Sequence, residues 1–171
     1  MANSISPHDI TRHVRRTVLG AEWPLKFEDE RFLLCHQCSQ CSGVCPSQRQ
    51  GGINPREIMM RYTSGLADPA DNVLWLCTMC HSCVERCQLD VRPAELITRL
   101  REEGAIIGSI PRSFQEEARL FMRTGLSFPS TGLTKKIRRE MGLDELLPDA
   151  RAMKDINVIV ASTRLGRVKL D

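Results

Sequence analysis

The sequence predicts a mostly α-helical protein of two pseudo-symmetric halves, with an N-terminal helix before them and a C-terminal tail after them. Three observations carry this. Apolar residues recur at helical spacing between proline or Asx starts and glycine stops. All eight cysteines of the 171 residues fall in two runs, Cys35 to Cys45 and Cys77 to Cys87, both spaced C-x2-C-x2-C-x3-C and offset by 42 positions. The flanks of the runs match as well. Phe32-Leu33-Leu34 precedes the first run as Leu74-Trp75-Leu76 precedes the second, and Pro55, Glu57, Ile58, Arg61 and Tyr62 answer Pro93, Glu95, Leu96, Arg99 and Leu100. Two copies make one domain; a solenoid needs more repeats.

In chain order, Ser6 is suited to cap a helix with Pro7 at its first position, and Ile10, Val14 and Val18 share one face before Gly20. Residues 20–27 read as a linker. A short helix from Glu28 to Leu34, with the acidic bias of a helix start, delivers Phe32, Leu33 and Leu34 to the first run. After Pro46, residues 47–53 read as a polar loop. Asn54 and Pro55 start a helix carrying Ile58, Met59 and Tyr62, which Gly65 stops. Asp68-Pro69 breaks the chain, and residues 72–76 lead into the second run. Pro93 starts a helix to about Ala105 with Leu96, Ile97 and Leu100 inward. Pro111 opens another, with Phe114, Ala118 and Phe121 on one face and Gly125 at its end. A short basic helix from about Thr134 to Met141, carrying Lys135, Lys136, Arg138 and Arg139, stops at Gly142. Residues 148–155 fit a further turn or two, and Ile156 to Ala161 is the one strand-like run. The domain organisation that follows is an N-terminal helix and linker (1–27), a two-run helical domain (28–147) and a C-terminal tail (148–171).

Composition narrows the classes of function. Hydrophobic residues make up 42%, enough for a modest core, and the net charge of +3 is too small to argue for nucleic acid. No apolar run approaches the roughly 18–20 residues that span a bilayer, and no leader-like segment opens the chain. A cytoplasmic protein with no direct membrane insertion is expected. No nucleophile elbow, dinucleotide fingerprint or phosphate loop is present, and no substrate site is indicated.

The cysteine spacing points to iron–sulfur chemistry. A cubane cluster offers four irons, each needing one thiolate, and three cysteines at intervals of three wrap three corners. The first run ends in Cys45-Pro46 and so has the C-x2-C-x2-C-x3-C-P form of two-cluster ferredoxins, where the fourth cysteine serves the other cluster. Applied here, Cys35, Cys38, Cys41 and Cys87 hold one [4Fe-4S] cluster, and Cys77, Cys80, Cys83 and Cys45 hold the other. The second run has Gln88 in place of the proline. Disulfides fit poorly in a chain of this size without a secretory signal. Structural zinc prefers two C-x2-C pairs separated by a dozen or more residues. A zinc-stabilised interaction scaffold nevertheless stands as the alternative of a different class. No cysteine is replaced by histidine, so His36 and His81 are expected beside the clusters rather than on them, and Trp75 is expected to pack.

With both runs set between helices, the chain resembles the α-helical ferredoxin type found in the iron–sulfur subunits of succinate dehydrogenase and fumarate reductase. Its length and motif order are most similar to the family of heterodisulfide reductase C subunits, the iron–sulfur electron-transfer subunits of that enzyme. The anchors are Cys35 to Pro46, Asn54-Pro55-Arg56-Glu57, Cys77 to Cys87, and Gly108-Ser109-Ile110-Pro111 with the helix after it. The resemblance implies an electron-relay member of an oxidoreductase complex. A flavin-containing A subunit would supply electrons, two [4Fe-4S] clusters would carry them, and a catalytic CCG-type B subunit would reduce the mixed disulfide of coenzyme M and coenzyme B in methanogenesis. Hydrogenase or formate dehydrogenase subunits are further partners it allows. The alternative within the class is the iron–sulfur subunit of another complex, sulfur-oxidising or of the succinate/fumarate type. The N-terminal helix and the tail are both expected to dock on partner subunits, with 156–161 adding as a strand to a sheet edge.

Overall fold

The computed structural model describes residues 29–144 and 148–170. The expected N-terminal helix and linker lie outside them. Among the described residues all regular structure is helical. The α-helices are α1 (Gln40–Gly43), α2 (Pro46–Arg49), α3 (Pro55–Thr63), α4 (Ser82–Glu85), α5 (Pro93–Ile107), α6 (Arg112–Thr124), α7 (Gly132–Glu140) and α8 (Ala150–Ser162). Short 3-10 turns occupy Glu30–Leu34, Asn72–Leu76 and Arg164–Arg167. The chain forms two compact units that meet in sequence at Arg101 and Glu102. No described helix is long and apolar enough to cross a membrane.

The first unit carries both cysteine runs, and its core repeats with them. Phe32 and Leu74, Ile53 and Val91, Ile58 and Leu96, Met59 and Ile97, and Tyr62 and Leu100 are all buried. Each pair is one residue from each half. Fully burying a side chain of this size contributes about 1.5–3 kcal/mol. The Phe32 ring meets the Tyr62 ring edge-on at 5.7 Å between centroids. The starts repeat too. Asp29 caps the first 3-10 turn by accepting the Arg31 N–H, and Asp71 caps the second by accepting the Val73 N–H. Asn54 caps α3 by accepting the Glu57 N–H, with Pro55 at the first helical position, as expected. Gly65 follows α3 with φ 75° and Gly108 follows α5 with φ 90°. That left-handed conformation is what lets glycine end a helix.

Two sequence expectations need correction. Residues 47–53 are not wholly loop, because Pro46 starts the four-residue helix α2 before the chain turns at Gly51. Residues 156–161 are not a strand. They form the second half of α8, whose Asp149 cap accepts the Ala152 N–H. Once started, helix propagates through Ala150 to Lys154, and each β-branched residue opposes it by less than about 0.7 kcal/mol. The reading of this run as a strand added to a partner's sheet falls with it.

The second unit, from Glu102 onward, is more open, and α6, α7 and α8 contain no fully buried residue. Helix α6 ends at Gly125, whose φ is 70° and whose N–H donates to the Phe121 carbonyl at 2.7 Å. Helix α8 packs on α6. A Cβ on Gly125 would stand 2.7 Å from Pro148 Cγ and 2.9 Å from Ile156 Cδ1, so only glycine allows this approach. Arg164 then ties the end of the chain to Glu102 and Glu103.

Candidate metal centre

The two cysteine runs fold as copies of one backbone. Cys35 and Cys77 each end a 3-10 turn in extended conformation, at φ/ψ of −66°/116° and −72°/124°. The residues on either side of the second cysteine are left-handed in both runs: Gln37 and Ser39 at φ 58° and 69°, Met79 and His81 at 54° and 58°. Ser39 and His81 then cap one-turn helices that carry the third cysteine, Cys41 on α1 and Cys83 on α4. The fourth cysteine closes each turn. Cys45 N–H donates to the Ser42 carbonyl and Cys87 N–H to the Val84 carbonyl, both at 3.1 Å. Helices α1 and α4 pack on each other, which brings the two copies together at their third cysteines.

Left-handed backbone at a residue other than glycine costs about 1–2 kcal/mol. Left-handed residues beside right-handed ones can gather successive N–H groups into a concavity suited to an anion such as a thiolate-bound cluster, a use that would offset this cost.

Cys35, Cys38 and Cys41 from the first run share one cavity with Cys87 from the second. Met59, Val91 and Pro93 supply apolar wall, and Arg56 and His36 supply polar wall. Cys45 and Cys83 are buried, Cys77 is half-buried and Cys80 is exposed. Among the described residues, no three His, Cys, Asp or Glu side chains converge on a point that would hold a single metal ion. A tetrahedral zinc site needs its sulfurs within about 3.8 Å of one another, given Zn–S bonds of about 2.3 Å. Four thiols ringing a cavity fit a larger polynuclear group.

Burial pushes the Cys83 thiol up to about 11, with Cys77, Cys41 and Cys80 adding to the rise. Burial also raises Cys41, with Cys35 and Cys38 contributing. The Ser82 hydroxyl and N–H, donating to sulfur, hold Cys80 below the ordinary thiol value. Crowded thiolates of this kind are stable only with cations among them, so metal binding displaces protons and is coupled to folding.

Several residues that position the cysteines were not evident in the sequence. Ser42 Oγ donates to Asn54 Oδ1 at 2.6 Å and accepts the Arg56 N–H at 3.1 Å, joining α1 to the start of α3. Ser47 Oγ of the first half donates to the Leu76 carbonyl of the second at 2.8 Å, one residue before Cys77. Half-buried Arg101 donates Nε to the Leu74 carbonyl at 2.8 Å and Nη2 to the Cys77 carbonyl at 2.6 Å. Its guanidinium lies 5.3 Å from the Trp75 ring centroid, so Trp75 packs under a cation. Burial pulls Arg101 below its ordinary value, and Cys77 opposes that. His36 and His81 are both exposed, and His81 serves its run through its left-handed backbone.

A family model described as a 4Fe-4S dicluster domain matches residues 28–91. The C subunit of the H(2):CoB-CoM heterodisulfide,ferredoxin reductase of Methanothermobacter thermautotrophicus is 32% identical over 135 residues, covering 75% of this chain and 73% of that protein. A CoB--CoM heterodisulfide reductase iron-sulfur protein of Methanocaldococcus jannaschii, its second C subunit, is 32% identical over 139 residues, covering 80% and 74%. The C subunit of the Ferredoxin:CoB-CoM heterodisulfide reductase of Methanosarcina mazei is 34% identical over 115 residues, covering 67% and 71%.

Proposed function

Because the chain belongs to the family of heterodisulfide reductase C subunits, we propose that it relays electrons between a flavin-containing A subunit and a catalytic B subunit that reduces the coenzyme M–coenzyme B disulfide. In this reading Cys35, Cys38, Cys41 and Cys87 hold one [4Fe-4S] cluster, and Cys77, Cys80, Cys83 and Cys45 hold the second. Each cluster, when bound, supplies a one-electron carrier. The cavity shared by Cys87 with the first three cysteines of the other run is the observation that carries this reading.

The chain's own residues position the ligands and exclude water. Met59, Val91 and Pro93 wall the first site with apolar atoms. The Val91 N–H donates to Cys87 Sγ at 3.3 Å and steadies the crossing ligand. Arg101 and Ser47 hold the backbone that enters Cys77. Exposed Cys38 and Cys80 bring each site to the protein surface, where a partner's redox centre would approach. The amphipathic helices from Arg112 onward, with Leu133, Ile137 and Met141 exposed on or beside α7, are where partner subunits would dock. The complex would work in the cytoplasm.

The test is anaerobic purification from the native host with iron and sulfide analysis, identification of co-purifying chains and assay of coenzyme M–coenzyme B disulfide turnover. About eight irons and eight sulfides per chain, together with a flavoprotein and a CCG-type protein, are expected. A colourless protein loaded with zinc would refute the cluster assignment. An iron-loaded complex that ignores the heterodisulfide would refute the substrate.

A further inference from the structure

The 42-residue repeat puts Gln37 and Met79 at the same point of the two runs, both left-handed, at φ 58° and 54°. Their side chains treat equivalent sulfurs in opposite ways. Gln37 Nε2 donates to Cys35 Sγ at 3.4 Å. Its Oε1 is buried without a hydrogen-bond partner, and reversing the amide would set that oxygen against the sulfur. Met79 Sδ lies 3.8 Å from Cys77 Sγ. A thioether has no hydrogen to give, so a Cys77 thiolate receives none from this position. Thr98 Oγ1 lies 3.7 Å from Met79 Sδ, but its one proton serves the Ala94 carbonyl at 2.9 Å.

We infer that residues 37 and 79 are a potential-setting pair, the amide of Gln37 raising the reduction potential at the Cys35 site and the thioether of Met79 leaving the Cys77 site without that increment. The inference rests on the reading that Cys35 and Cys77 ligate different [4Fe-4S] clusters. An N–H donor binds a thiolate more tightly as the negative charge on it grows, as it does on reduction, and hydrogen bonds to the sulfurs are among the groups that set cluster potentials. Other groups also act on these sites: Arg56 at the Cys35 cavity, Val91 N–H on Cys87, Ser82 on Cys80, and Arg101 beside Cys77. Exchanging residues 37 and 79 leaves all of them in place, so each variant reports its own position.

The experiment makes Gln37→Met and Met79→Gln separately in the full-length chain, purified without oxygen. Iron and sulfide are counted first, and both midpoint potentials are then read by redox titration with electron paramagnetic resonance. Cys38→Ser and Cys80→Ser assign the signals. Glutamine and methionine are both unbranched and close in size, so each exchange preserves volume and left-handed backbone. Gln37→Met is expected to change the reduced-to-oxidised ratio of the Cys35 cluster about tenfold toward the oxidised form, which is ~59 mV for one electron. Met79→Gln is expected to move the Cys77 cluster by a similar factor toward the reduced form. Unmoved midpoints in both variants, shifts of the opposite sign, or both variants moving the same cluster would overturn the inference. So would iron lost at either position relative to the parent, which marks a structural role. A parent chain that binds no iron defeats the cluster reading itself, a separate and recognisable failure.

Discussion

Replacing Arg101 should loosen one cluster site and spare the other. The side chain makes two charge-assisted hydrogen bonds, to the Leu74 and Cys77 carbonyls, and lies over Trp75. Bonds of this kind are worth about 1.5–3 kcal/mol each, and a partly exposed cation–π contact about 0.5–1 kcal/mol. Arg101 is only half-buried, so water takes over part of the carbonyl bonding, and Arg101→Met should weaken the closed state by about 2–3 kcal/mol. At about 1.36 kcal/mol per factor of ten, local opening becomes roughly 30- to 150-fold more frequent. The assay is bleaching of the visible iron–sulfur absorbance by an iron chelator under argon. In the variant half of the signal should bleach faster by that factor, and the other half at the parental rate. Arg101→Lys keeps the charge and can face Trp75, but cannot fork to two carbonyls, so an acceleration of about tenfold is expected. A Met variant that bleaches at the parental rate, or that accelerates both halves alike, would refute the reasoning.

Four further outcomes are expected. Cys87→Ser should lower the iron content from about eight to about four and leave the same electron paramagnetic resonance spectrum as Cys38→Ser, while Cys45→Ser should match Cys80→Ser; if Cys87→Ser instead matches Cys80→Ser, the ligands are not crossed. Ser39→Gly and His81→Gly each remove a left-handed cost of about 1–2 kcal/mol and add about 0.5–1 kcal/mol of chain entropy, so each should stabilise by about 0.5–1 kcal/mol in anaerobic denaturant unfolding. Leu96→Ala opens a cavity in the repeated core and should destabilise by about 2–5 kcal/mol in the same measurement. Gly125→Ala meets Pro148 Cγ at 2.7 Å at a φ of 70° and should release α8 from α6, seen as faster hydrogen exchange across residues 150–162.

The two cysteine runs were more legible in the sequence than the parts that hold them. Cysteines carry their chemistry in their spacing, and prolines and glycines mark helix ends through backbone geometry alone. Asn54-Pro55, Gly65 and Gly125 therefore read correctly without any tertiary information. The one-turn helices α1 and α4 did not, because four residues show no periodicity and their left-handed caps are Ser39 and His81 rather than glycine. Arg101 was invisible because its partners are backbone carbonyls 27 and 24 residues away, and a carbonyl leaves no mark on a sequence. The run Ile156 to Ala161 misled because its β-branched residues favour strand locally, while the cap and helix formers before it decide the outcome.

The cavity that joins Cys87 to Cys35, Cys38 and Cys41 also bears on how the protein is made. Its wall is incomplete until the second run has been translated. At about 5–20 residues per second, the 42 residues from Cys45 to Cys87 take roughly 2–8 s to emerge. Throughout that interval the first four thiols stand as a partial set, open to oxidation and to capture by the wrong metal. In the crossed-ligand reading proposed above, a nascent chain would need a reducing environment, or a protecting protein, for the time that separates its two runs.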